Sequence, residues 1–211
     1  HPYAVLGAPY GAGASPFRLR KGVVALLLNA QHQMQQSHPQ WRLAIFDAWR
    51  PVAVQRFMVE YAIGEECASR GVDPHTSSPE LDAVVADVGR FWAPPSEDPA
   101  TPPPHSTGAA VDLTLADARG DLVAMGSAID AIGPVSEPDH FLDRAAALPQ
   151  GAERDLCLEW HERRSALRQA MAQAGFAQHP NEWWHFSLGD QLWAWRTGQH
   201  KARYGRAPEP G

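Results

Sequence analysis

Cysteine is scarce in this chain of 211 residues. It occurs only at Cys67 and Cys157, far apart and in no Cys-x-x-Cys arrangement. One disulfide and two buried free thiols are both compatible with such a pair. No run of about 18 apolar residues exists, which excludes a transmembrane helix. The longest apolar run, Val23 to Leu28, is too short for the core of a signal peptide. Lysine is almost absent, and the net charge of −6 with a pI near 5.9 leaves no excess of basic residues. Nucleic acid and an anionic membrane surface, which both require a basic face, are therefore excluded as expected partners. A cytoplasmic location is the expectation, with the periplasm as the alternative if a signal was removed before His1.

What is present is the composition of a folded domain: 44% apolar and 20% charged residues, with eight Trp and nineteen Pro. At this length a single core is expected, so residues 1–211 are read as one domain without internal repeats. Ser15-Pro16 followed by Phe17 to Gln36 predicts a helix with Val23, Leu26, Leu27 and Ala30 on one face. Trp41 to Phe46 predicts a strand that runs into Asp47-Ala-Trp-Arg-Pro51, where Pro51 opens a helix to about Ala62. Further helices are expected over Pro79–Phe91 and Glu153–Ala174, the latter closed by Gly175. Residues 110–115 and 183–188 predict strands, residues 133–150 a long loop, 190–196 a short helix and 198–211 a polar tail. Residues 93–104 carry too many prolines for helix or sheet, and their position beside the chemically richest segment marks an ordered active-site loop and not a linker. Helices first, strands late and no regular alternation together predict an α+β fold with a central antiparallel sheet and flanking helices.

Ten histidines are present, so a lone one carries little meaning. His1, His32, His38, His75, His140, His161, His179 and His200 are read as surface or hydrogen-bonded residues. His161-Glu162 lacks the second histidine of His-Glu-x-x-His, since position 165 is Ser. His105 and Asp112 differ because they flank His-Ser-Thr-Gly-Ala-Ala-Val-Asp, with Gly108 placed for a tight turn. Asp112 falls mid-strand, on the face opposite Val111 and Leu113, where a carboxylate must be solvated, paired or metal-bound. A catalytic zinc typically has three protein ligands and an open position. Glu182-Trp-Trp-His185 offers the third ligand together with a base, provided that a bend before Trp183 turns Glu182 toward the metal. Arg50 lies at the end of a strand beside Asp47, which can hold its guanidinium by charge-assisted hydrogen bonds while it faces a developing oxyanion.

The segments Asp-Ala-Trp-Arg-Pro (47–51), His-Ser-Thr-Gly-Ala-Ala-Val-Asp-Leu-Thr-Leu (105–115), Met-Gly-Ser-Ala-Ile-Asp (125–130) and Glu-Trp-Trp-His-Phe (182–186) together resemble the D-alanyl-D-alanine dipeptidases. These are the VanX-type members of the zinc D,D-peptidase superfamily, which also includes D,D-carboxypeptidases and the Hedgehog-like fold. The resemblance implies one zinc per chain held by His105, Asp112 and His185, with Glu182 as base and acid and Arg50 stabilising the transition state. It implies a small D,D-dipeptide as substrate, with Asp130 meeting its free amine and Trp184 in the substrate pocket. Pro103 stands where the family usually has Ser, so Ser106 and its backbone N–H are expected to take over the contact with the substrate carboxylate. Ile129 and the stretch after Asp130 also depart from the family pattern. The alternatives are a D,D-carboxypeptidase acting on longer peptidoglycan stems and a zinc-fold binding module without catalysis.

Overall fold

The chain opens with a single helical turn, α1 (Pro2–Val5), and an irregular stretch that leads into α2 (Lys21–Ser37). These and all later elements come from a computed structural model describing residues 1–209. The predicted helix at 17–36 starts four residues late for a tertiary reason. Arg20 stays extended so that its backbone N–H donates to Gly108 O (2.9 Å) and its Nε to Thr107 O (2.8 Å). Strand β1 (Arg42–Asp47) then leads into α3 (Val52–Arg70), which runs past the expected Ala62 and ends on Gly71 in the left-handed conformation. Helix α4 (Pro79–Val88) is capped by the Ser78 hydroxyl, which accepts from Leu81 N. Residues 93–103 are irregular, as their prolines require, and enter a 3₁₀ turn over Pro104–Thr107.

Strand β2 (Ala110–Ala116) is the centre of the molecule, and all seven of its residues are buried. Its alternation is the expected one. Val111, Leu113 and Leu115 enter a core with Val23 and Leu27 of α2 and with Leu167 and Met171 of α6 (Ala152–Gln173). Burying each such side chain contributes roughly 1.5–3 kcal/mol. Asp112 and Thr114 point the other way, and Asp112 meets Arg50, which lies against Tyr3 and Trp92 of a second cluster with Val54, Met58, Val84 and Val88. The sheet is antiparallel throughout, in the order β1-β2-β4-β3, with β3 (Ala177–Gln178) and β4 (His185–Ser187) both short. The chain is thus a mixed helix and antiparallel-sheet fold, as predicted.

Residues 133–150 are not the long loop that their composition suggests. They contain a 3₁₀ turn, Pro134–Ser136, and helix α5 (His140–Ala147), which buries Phe141 and Ala145 against Cys157 and Trp160. With only two buried positions, α5 is too short for periodicity to reveal. Helix α6 ends as expected: Gly175 (φ +92°) donates to Ala172 O and Phe176 N to Met171 O, a two-bond cap that returns the chain to β3. Helix α7 (Gln191–Arg196) follows, capped by Asp190. The polar tail expected from 198 is packed through its described part. Arg203 and Tyr204 donate to Gly189 O, and Ala207 N donates to Ser106 O (2.8 Å). Residues 210–211 lie outside the described residues. Cys67 and Cys157 are buried, free thiols. Among the described residues, no helix is long and apolar enough to cross a membrane.

Candidate metal centre and active site

Strand pairing brings the first three side chains together. Asp112 on β2 is the register partner of His185 on β4 and, across an irregularity after Ile45, also of Asp47 on β1. His105 reaches the same point from the 3₁₀ turn that precedes β2. Its Nε2 lies 3.1 Å from His185 Nδ1 and 3.2 Å from Asp112 Oδ2, and His185 Nδ1 lies 3.0 Å from Asp112 Oδ1. Four-coordinate zinc with bonds of about 2.0–2.2 Å places neighbouring ligand atoms roughly 3.3 Å apart, close to these separations.

The donors fit a metal in their chemistry as well. His105 Nδ1 faces Ala48 O at 2.7 Å, so that nitrogen carries the proton and Nε2 presents a lone pair. His185 Nε2 faces Ser187 Oγ at 3.2 Å, whose own proton goes to Asp190 Oδ2 at 2.7 Å. His185 Nδ1 is thereby the free nitrogen. Asp112 Oδ1 is buried and accepts no hydrogen bond, a costly state for a carboxylate oxygen unless a cation completes it. The three residues form a group that could hold a metal ion.

Glu182 adjoins this group. β4 begins only at His185, so the strand alternation expected over 183–188 does not govern Glu182. The preceding bend turns it inward, with Oε2 3.7 Å from His185 Nδ1. Burial raises its pKa well above the usual carboxylate value, and the negative charges of Asp112 and Asp130 add to the shift. Arg50 sits between two carboxylates. It donates through Nε to Asp47 Oδ2 (2.9 Å) and through Nη2 to Asp112 Oδ2 (3.2 Å), and it stacks against Tyr3 and Trp92. Gln55 accepts from Arg50 Nη1 and passes a hydrogen bond on to Ala93 O, fastening the proline-rich segment to the site. That segment is part of the site wall, since Ala93 and Pro104 line the cavity.

Asp130 and Trp184 line the same cavity as Arg50, Glu182 and the three ligand residues, which offers about 460 Å³ counted out to its mouth. Ser106 does not line it. Its Oγ and its backbone N–H both donate to Pro103 O, at 2.7 and 3.0 Å, so the two groups expected to replace the missing family hydroxyl are consumed inside the turn. Two titratable residues at the site, one beside the cavity and one lining it, do not stand out in the sequence. Tyr3, from the other end of the chain, donates to Asp130 Oδ2 at 2.6 Å. His179, read as an unspecialised histidine, lines the cavity with Nδ1 3.7 Å from Glu182 Oε1, and burial lowers its pKa to about 3.

Three acids of the cavity wall, Asp112, Asp130 and Glu182, together with the fully buried Asp47, therefore lie around one guanidinium. Burial, reinforced by Asp112, pushes Asp130 up to about 7. An acid whose folded pKa exceeds its unfolded value of about 4 stabilises the fold below pH 4 and loses that contribution as pH rises through about 7. The metal-free protein is therefore expected to melt on the order of 10 °C lower at pH 8 than at pH 5. Asp130→Asn should flatten much of that slope. Calorimetric melts of chelator-treated protein test this, and an equal slope in the variant would remove Asp130 as its source.

The comparison with known proteins agrees with this geometry. The sequence pattern of the Peptidase_M15 family described as D-ala-D-ala dipeptidase matches residues 1–203. A D-alanyl-D-alanine dipeptidase of Synechocystis sp. is 42% identical over 213 residues, covering 98% of this chain and 85% of that protein. Another, from Enterococcus faecium, is 37% identical over 150 residues, covering 71% of this chain and 63% of that protein. With its buried His-Asp-His group and a family match along nearly its whole length, the chain belongs to the D-Ala-D-Ala dipeptidase family of M15 peptidases.

Proposed function

We propose that this protein hydrolyses D-alanyl-D-alanine, or a closely related small D,D-dipeptide, to free amino acids with one zinc ion per chain. The Hedgehog-like architecture implied by the family resemblance belongs to the same proposal. The observation that carries it is one cavity lined by His105, Asp112 and His185 together with Glu182, Arg50 and Asp130. His105 Nε2, His185 Nδ1 and the Asp112 carboxylate would hold the metal. Zinc bound there would supply a Lewis acid and would bring the pKa of a water down to about 7.

The protein's own groups account for the rest. Glu182, kept basic enough to accept a proton by its raised pKa, takes one from the attacking water and delivers one to the departing amine. The water oxygen adds to the scissile carbonyl carbon, the C–N bond then breaks as its nitrogen takes up the proton, and two amino acids leave. Arg50 faces the carbonyl oxygen as negative charge grows on it, held in place by Asp47. Asp130 receives the substrate's ammonium, with the Tyr3 hydroxyl fixing one carboxylate oxygen. Trp184 forms part of the apolar wall. A dication and an ammonium would together match the excess of three acids over Arg50.

A buried carboxylate intended for an ammonium is left unpaired when the amine is acylated. Free D-Ala-D-Ala is accordingly expected to turn over at least about 10²-fold more efficiently than its N-acetylated form. Comparing kcat/KM for the two substrates is the test, and preference for the blocked peptide would replace the dipeptidase by a carboxypeptidase.

A further inference from the structure

The loop that bears Asp130 is held by a residue far from the cavity. Arg164, in the middle of α6, is only 1% exposed, yet every acceptor it engages is neutral. Its Nε donates to Met125 O (2.8 Å), Nη1 to both Val135 O and Glu137 O (3.0 Å each), and Nη2 to Ser127 Oγ (2.9 Å). These acceptors stand at the two ends of the segment 125–137. Burial draws the guanidinium pKa down to about 9, so it remains a cation at neutral pH, between the rings of Phe141 and Trp183. Burying a cation without a carboxylate is costly, and its fork geometry gives the position its use: one planar group ties both ends of a loop.

Two further observations extend this clamp toward the chemistry. Ser127 Oγ also accepts from Trp183 Nε1 (2.9 Å), and Ser136 O accepts from Trp183 N (2.9 Å). The loop is thus bonded to the residue adjoining Glu182. Asp130 itself has φ +64°, the only positive φ at a non-glycine among the described residues. Such a conformation persists only where the surroundings fix it.

We propose that Arg164 is a positioning residue for amine recognition, holding both ends of the 125–137 loop so that Asp130 faces the substrate's ammonium at a fixed distance from Glu182. This rests on Asp130 being the ammonium partner. It assigns to α6, outside the cavity, control over which substrates the cavity accepts.

The test is a double-mutant cycle on the zinc-loaded enzyme with Arg164→Lys, Asp130→Asn and the pair, following D-Ala-D-Ala hydrolysis. Lysine keeps the charge and loses the fork. Arg164→Lys is expected to raise KM about tenfold and change kcat by less than about threefold, with zinc content unchanged. In the Asp130→Asn background the same substitution should add less than about twofold, because the group it positions is gone. Additive effects, or an equal fall in kcat and kcat/KM, would make Arg164 a general stability residue and overturn the proposal. If Asp130→Asn leaves KM and the preference for a free amine unchanged, Asp130 is not the ammonium partner and both readings fall. Should Arg164→Lys not fold, Ser127→Ala carries the cycle. It removes one arm of the clamp and its bridge to Trp183, and a rise in KM that vanishes in Asp130→Asn is again the supporting result.

Discussion

Glu182→Gln is expected to keep the proposed zinc and to lose about 10³- to 10⁴-fold in kcat. The substitution preserves size and hydrogen-bonding reach but removes the ability to accept a proton. Nothing else in the cavity replaces it. Asp112 is a proposed metal ligand, and Asp130 is engaged with Tyr3. His179, the remaining titratable neighbour, has a pKa near 3 and is a poor base at neutral pH. Glu182 makes no hydrogen bond to the His105 or His185 nitrogens that face the metal, its nearest approach to His185 Nδ1 being 3.7 Å, so metal binding should be spared. Elemental analysis paired with turnover is the measurement. Unchanged turnover would dismiss Glu182 as the base, whereas loss of zinc together with activity would make it part of the metal site.

Arg50→Met combines a stability effect with a catalytic one. Asp47 and Asp112 are register partners on neighbouring strands, and the guanidinium between them is the charge that makes this pairing tolerable. Removing it strips both buried carboxylates of their guanidinium partner, at about 3–5 kcal/mol by analogy with broken buried ion pairs. The same change removes the cation proposed to face the developing oxyanion, a role worth about 10²–10³ in kcat. Bound zinc offsets part of the charge, so destabilisation should be larger in metal-free protein than in zinc-loaded protein. Melting temperatures with and without metal, read beside kcat, separate the two contributions. A variant that melts with wild type in both states and turns over normally would contradict both. Arg50→Lys should recover part of the stability and little of the rate, since an ammonium cannot reach Asp47 and Asp112 with the same fork.

The residues that sequence reasoning found share one property: each belongs to a short segment whose local chemistry is odd. An aspartate inside an apolar strand, a histidine before a tight glycine turn and an arginine beside an aspartate at a strand end all stand out from their neighbours. Tyr3 does not, because it meets Asp130 across 127 residues of chain and nothing near either residue foretells the contact. Arg164 looks like any charged residue on a long polar helix; its role exists only once α6 packs against the 125–137 loop. His179 was passed over because its meaning comes from the bend at 180–184 that brings Glu182 beside it. Ser106 shows the converse, since local chemistry made it plausible and the 3₁₀ turn used both of its donors within three residues. The main strand positions and most helices followed from periodicity and from proline and glycine. The two-residue β3 and the single short face of α5 fell below what periodicity can detect.

The direct pairing of Asp112 with His185 has a consequence for folding as well as for catalysis. A slip of one residue between β2 and β4 would turn one of the two side chains to the opposite face, and the other would be left facing the cavity alone. β4 is only three residues long, so its backbone hydrogen bonds discriminate weakly between registers. A metal ion held there would supply the missing discrimination: only the native alignment brings Asp112 and His185 from adjacent strands to the histidine arriving from the 3₁₀ turn. The proposed cofactor would thus proofread the sheet, adding its binding energy to the correct register and withholding it from the shifted ones.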